Sequence, residues 1–158
     1  MTHQTTIRLA RPADSRALAE LRWEFKRDEY DGPPLDPADP LGELDRWIHD
    51  SLAGGRWLAW VAEDDGVICG HVFLQSVERM PEPTRTSAPI GYVTNFYVVS
   101  SRRDRGVGSA LLQALDEYTR TENFNTLVVW PSERSAALYR RAGYQSPAEL
   151  LELPFTAN

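Results

Sequence analysis

Residues 90–111 read Ile90-Gly91-Tyr92-Val93-Thr94-Asn95-Phe96-Tyr97-Val98-Val99-Ser100-Ser101-Arg102-Arg103-Asp104-Arg105-Gly106-Val107-Gly108-Ser109-Ala110-Leu111. The first ten are apolar on both alternating faces, which predicts a strand covered on both sides. A turn with two glycines follows, and from Val107 the residues Ala110, Leu111, Ala114, Leu115 and Tyr118 mark a long amphipathic helix. A helix that begins directly after a strand presents unpaired backbone amides and a partial positive charge, which suits a phosphate. Gly106 and Gly108 remove side chains that would hold an anion away from those amides. Arg102, Arg103 and Arg105 add charge and fork-shaped donors for phosphate oxygens. The dinucleotide fingerprint is excluded, because Leu111 stands where its third glycine belongs. The Walker loop is excluded as well, since no Gly-Lys precedes a Ser or Thr.

Upstream, Ile7-Arg8-Leu9 reads as a short strand leading to a helix over about 14–29, with Asp14 free to satisfy its first amides and Leu18, Leu21 and Phe25 on one face. Three prolines make 31–37 a loop. Asp39-Pro40 reads as the start of a second helix through Leu41, Leu44, Ile48 and Leu52, ended by Gly54-Gly55. Residues 56–63 and 67–77 form a hairpin around Asp64-Asp65-Gly66, and the proline-bearing 79–89 is a loop. Downstream, Thr126 to Trp130 reads as a buried strand, Ser132 as the start of a final helix closed at Gly143, and 149–153 as one more strand. Early hairpins followed by strand–helix–strand alternation predict a three-layer mixed α/β domain.

The chain has 158 residues, the size of one ordinary domain, with 42% hydrophobic and 25% charged residues. Its longest apolar run is six residues, Trp57 to Ala62, too short to span a bilayer, and Met1-Thr-His-Gln-Thr-Thr does not read as a signal peptide. A single cysteine, Cys69, fits a reducing compartment, so a cytoplasmic protein is expected. The net charge is −6, and residues 24–50 carry the whole excess with nine carboxylates against three bases. Residues 100–141 run the other way, with seven arginines against five acids, so one stretch attracts cations while another receives an anion. An acidic total argues against nucleic acid. Three scattered histidines, His3, His49 and His71, make no metal site.

Arg103-x-x-Gly106-x-Gly108 after a strand resembles the Arg/Gln-x-x-Gly-x-Gly/Ala acetyl-coenzyme A motif of the GNAT superfamily of N-acetyltransferases. Leu138-Tyr139-x-x-x-Gly143-Tyr144 resembles the Leu-Tyr-x-x-x-Gly-Phe of that family's final helix, and the match extends over nearly the whole chain. The resemblance implies one GNAT domain over residues 1–158, with a central mixed sheet of about six to seven strands splayed between 90–99 and 125–130. It implies acetyl-coenzyme A in that splay, its pyrophosphate on the amides from Arg103 through Asp104, Arg105, Gly106, Val107 and Gly108 to Ser109. Backbone at Val98 and Val99 would hold the pantetheine arm, and one amide there would polarise the thioester carbonyl. Two departures from the family pattern are Ser132 in place of the usual Asn, with shorter reach toward the cofactor, and Ser135 one turn before the tyrosine.

The implied reaction is direct attack of an amine on the thioester. It needs a base or water chain for the amine proton and a donor for the developing oxyanion. Tyr139 is the residue that the resemblance assigns to protonating the leaving thiolate; a phenol with a pKa near 10 still holds a proton to give at neutral pH, and the thiol formed has a pKa near 8.5. Asn95 occupies a strand position where many relatives carry a glutamate; it cannot take a proton, but with Thr94 it could position water. Glu24 and Asp28, four residues apart and so on one helix face, and His71 are further candidates for the base, while Cys69 reads as inert. The acidic 24–50 stretch makes a small cationic amine the expected acceptor, with Glu24 and Asp28 on its rim. Two alternatives remain open: a non-catalytic coenzyme A-binding regulatory domain, and a protein N-terminal or lysine acetyltransferase. The resemblance allows a homodimer and implies neither a metal, a membrane nor a nucleic acid partner.

Overall fold

The computed structural model describes residues 4–29, 32, 40–83 and 87–155. The Asp39 cap, most of the 31–37 loop and part of the 79–89 loop lie outside the described residues. Strand β1 (Thr6–Leu9) leads through a short 3₁₀ turn at Pro12–Asp14 into helix α1 (Ser15–Glu29). Helix α2 (Pro40–Gly54), strands β2 (Trp57–Asp64), β3 (Val67–Val77) and β4 (Ile90–Val98), helix α3 (Val107–Thr121), strand β5 (Thr126–Val129) and helix α4 (Glu133–Arg141) complete the order. No described helix is long and apolar enough to cross a membrane.

The five strands form one sheet in the order β1-β2-β3-β4-β5, antiparallel up to β4 and parallel between β4 and β5. Asp65 (φ 50°) and Gly66 (φ 79°) close the β2–β3 hairpin as a two-residue turn whose positive dihedrals match the twist of its strands. Alternation along β2 explains the layers. Ala59 and Val61 pack with Leu18, Ala19, Ile48 and Phe73 under α1 and α2. Their neighbours Trp60 and Ala62 pack with Val72, Leu74, Val93, Leu111 and Leu115 under α3, with Tyr139 of α4 joining them. Leu18, Ile48, Leu111 and Leu115 are almost wholly buried, so truncating any one to alanine costs about 2–5 kcal/mol.

Two expectations change. Among the described residues the sheet has five strands rather than six to seven, and residues 149–153 form no strand. Leu150, Leu151, Leu153 and Phe155 are 60, 92, 77 and 89% exposed, so the segment pairs with neither edge strand of the sheet, β1 or β5, and leaves its apolar side chains in solvent. Asp14 also acts differently: its Oδ2 accepts from the Arg11 amide at 2.7 Å, before the helix. Both of its oxygens accept from the Arg8 guanidinium, which also reaches Glu63 at 2.7 Å. Arg8 thereby ties β1 to the start of α1 and to β2, and holds the Asp14 carboxyl below the usual carboxylate range.

Candidate active site

The site begins where the sheet stops pairing. The parallel ladder between β4 and β5 runs from Ile90–Thr126 to Val93–Val129 and ends. From Thr94 to Val98, β4 keeps β3 on one side and has no strand on the other among the described residues. In that span the β3–β4 register slips: His71 lies opposite Tyr97, but Phe73 lies opposite Thr94, so β4 holds one extra residue. Asn95, at φ 53°, is in the left-handed region within this bulge.

The turn after β4 supplies the second wall. Gly106 precedes α3 with φ 79°, and a Cβ built on it would meet nothing within 4 Å. No side chain caps α3, so its first amides are open to an anion over an unfilled space. Helix α4 contrasts with it, because the Ser132 hydroxyl accepts from the Ser135 amide at 3.2 Å. Ser132, expected to hold cofactor, therefore serves as a cap. Gly108 also differs from expectation: a Cβ there would sit 2.9 Å from Leu138 Cδ2 and 3.0 Å from Phe96 Cζ. Its missing side chain lets α3 approach β4 and α4.

The three arginines of the turn separate. Arg102 Nη2 pairs with the buried Asp64 at 2.8 Å. Arg103 folds back: its Nε donates to the Val98 carbonyl at 2.8 Å, and its guanidinium lies 5.4 Å from the centre of the Tyr97 ring. Arg103 Nη2 is buried without a hydrogen bond, 3.9 Å from Asp28. Arg105 is exposed beside Gly106 in a groove also lined by Ile7, Asp64, Arg102 and Val107. At the end of β4 the backbone is already engaged, since the Val99 amide donates to the Cys69 carbonyl at 2.9 Å and the Val99 carbonyl accepts from Arg102 at 2.9 Å. Cys69 itself is buried, and desolvation raises its thiol pKa.

Residues after the bulge point to opposite faces of the sheet. Phe96 packs against Tyr139 at 5.5 Å between ring centres, and Tyr139 in turn against Tyr144 at 5.1 Å. Burial, with a smaller contribution from Tyr144, pushes the Tyr139 phenol well above its ordinary value, so it stays protonated across neutral pH. Tyr97 turns to α1, with its hydroxyl 3.0 Å from Asp28 Oδ2 and 3.3 Å from Glu24 Oε1. One phenolic proton faces two carboxylates, which leaves acceptor capacity for a cation. Desolvation and the Asp28 hydrogen bond hold Tyr97 protonated as well. The structure thus brings Glu24 and Asp28 together with β4, as their helical spacing suggested.

His71 does not fit the role of base, and Asn95 has its carbonyl and its side-chain oxygen engaged. Asn95 Oδ1 accepts from Arg22 Nη1 at 2.9 Å, and its carbonyl is 2.7 Å from His71 Nδ1. His71 is 0% exposed, and its pKa is lowered to about 4 by burial, so it is neutral and sealed from solvent. Arg22 and Tyr97 escaped the sequence reading. The available signal for Tyr97 was its place five residues before Arg102 in a strand that leads into the turn; Arg22 carried none.

A model of the acetyltransferase (GNAT) family matches residues 16–144. The chain is 36% identical over 115 residues to an aminoglycoside N(6')-acetyltransferase type 1 from Stenotrophomonas maltophilia, covering 73% of this chain and 67% of that one. A protein from Clostridium acetobutylicum described as a predicted acetyltransferase, crystallised with acetyl-CoA, superposes with a TM-score of 0.79 at 25% identity, covering 96% of both chains. A GCN5-related N-acetyltransferase from Ralstonia eutropha JMP134 superposes with a TM-score of 0.75 at 25% identity, covering 96% of this chain and 99% of that one.

Proposed function

The chain belongs to the acetyltransferase (GNAT) family and is an acetyl-CoA-dependent N-acetyltransferase, and on that footing we propose that its acceptor is the primary amine of a small polycationic molecule of the aminoglycoside kind. The observation that carries this reading is the pairing of Glu24 and Asp28 on the Tyr97 hydroxyl, beside the stretch of β4 that has lost its β5 partner. Two carboxylates there draw a protonated amine toward the cleft, and the aminoglycoside acetyltransferase relative supports the same acceptor chemistry.

The α3 amides from Val107 to Ser109 and the free Arg105 guanidinium suit the pyrophosphate of the co-substrate, and the open space at Gly106 suits its close approach. Acetyl-CoA supplies a thioester whose acyl carbon a neutral amine attacks directly. Glu24 and Asp28 orient the amine and lead its proton to solvent. Tyr139, kept protonated by burial beside Phe96, gives its hydroxyl proton to the thiolate as the C–S bond breaks, and the phenolate then regains a proton from solvent. The test is release of free thiol from acetyl-CoA across a panel of aminoglycosides, polyamines, amino acids and peptides. Turnover concentrated in the aminoglycosides supports the proposal, and turnover confined to peptides refutes it.

A further inference from the structure

Val93 and Phe96 are three residues apart on β4, yet both pack into the core beneath α3. An uninterrupted pleat forbids this, because residues an odd number apart face opposite sides of a sheet. The extra residue at Asn95 makes it possible. That bulge therefore sends Phe96 toward Tyr139 and Gly108, and Tyr97 toward Glu24 and Asp28. Slipping it out would exchange the two faces from Phe96 onward.

A left-handed asparagine costs about 1 kcal/mol on its own, so something has to hold it. Two groups do. The Asn95 carbonyl faces His71 Nδ1 at 2.7 Å; a carbonyl only accepts, so Nδ1 carries the proton. The Asn95 side-chain oxygen accepts from Arg22 Nη1 at 2.9 Å. His71 is fully buried, and its Nε2 has no partner among the described residues, so the one hydrogen bond its ring makes there is to Asn95. Arg22 is a largely desolvated cation with no carboxylate within ion-pair distance among the described residues. Burying such groups is costly, and both aim their donors at one residue.

We propose that His71 of β3 and Arg22 of α1 are positioning residues for acyl transfer: they clamp Asn95 and so fix the β4 bulge that aims the backbone at the thioester carbonyl. The inference rests on the reading that places the acyl group beside β4 after the bulge. Neither residue touches the reacting atoms. Each acts through Asn95, and a displacement of about 1 Å there is enough to misalign a reacting group.

The experiment uses the full chain and acetyl-CoA labelled with carbon-13 at the thioester carbonyl, observed by NMR, so no acceptor is required. Bound to the wild type, the carbonyl resonance is expected to move downfield as a backbone amide polarises it. His71→Leu is expected to lose that shift, while the acetyl-CoA dissociation constant stays within about threefold because the α3 amides are untouched. His71→Asn, whose side-chain amide supplies a donor in the place of Nδ1–H, is expected to keep it. If His71→Leu does not fold, Arg22→Met decides, and an unchanged resonance in that variant overturns the proposal. An unchanged resonance in folded His71→Leu overturns it as well. A wild type that binds acetyl-CoA with no shift at all refutes instead the placement of the acyl group at the bulge.

Discussion

Gly106→Ala separates the backbone role of the turn from its role toward a ligand. At φ 79° an alanine pays a left-handed penalty of about 1 kcal/mol, and its Cβ meets no described atom within 4 Å beyond its chain neighbours. Gly55, just after α2, has nearly the same geometry, with φ 77° and equally open surroundings. Gly55→Ala is therefore a matched control. Each variant should lose about 1 kcal/mol of stability, a fall in Tm of roughly 2–4 °C for a chain of this size. Only Gly106→Ala places a methyl group over the α3 amides. Disturbing one hydrogen bond to a charged phosphate costs about 1.5–3 kcal/mol, or roughly tenfold to a hundredfold in affinity. Thermal melts and isothermal titration with acetyl-CoA measure both quantities. The reasoning fails if Gly106→Ala binds acetyl-CoA as tightly as Gly55→Ala does.

Three further outcomes are expected. Tyr139→Phe should lower kcat by about a hundredfold or more with the acetyl-CoA dissociation constant nearly unchanged; unaltered turnover removes the phenol from the mechanism. Glu24→Gln combined with Asp28→Asn should raise KM for a polycationic amine and leave acetyl-CoA binding alone, and an equal loss in both would mean that the pair is structural. His71 makes stability depend on pH. Its pKa is about 4 in the folded chain against 6.5 unfolded, so the unfolded state takes up the proton first as pH falls. The contribution, up to about 3 kcal/mol, is present above pH 6.5 and is lost as pH falls toward 4. Urea unfolding should show less of this acid sensitivity in His71→Asn than in the wild type, and identical pH dependence would contradict the assignment.

Much of this architecture was legible because burial and periodicity coincide. Strand 90–99 reads as apolar on both faces because α1 covers Tyr97 while α3 covers Val93. Ser132 and Gly54-Gly55 marked helix ends through their own local chemistry. The failures share a cause, since each depends on a contact that neither composition nor periodicity records. Apolar residues at 149–153 look like a strand, but a strand forms only by pairing, and this segment pairs with neither β1 nor β5 and leaves Leu151 almost fully exposed. The bulge at Asn95 breaks a period that the reading assumed to be continuous; its one local signal was an asparagine, which tolerates the left-handed region better than its neighbours do. Arg103 looked like a phosphate ligand because sequence records its charge and not the Val98 carbonyl that claims it. Likewise, Gly108 looked like room for an anion, while Phe96 and Leu138 occupy the place its side chain would need.

The most direct test of the whole account is a stoichiometric transfer assay. The protein is saturated with acetyl-CoA and given an aminoglycoside. Free thiol is then titrated while the amine is followed by mass spectrometry. The account predicts one acetyl group gained by the amine for each thiol released, with the yield falling sharply in Tyr139→Phe. Acetyl-CoA bound at the α3 turn with no thiol release from any aminoglycoside, polyamine, amino acid or peptide would contradict it.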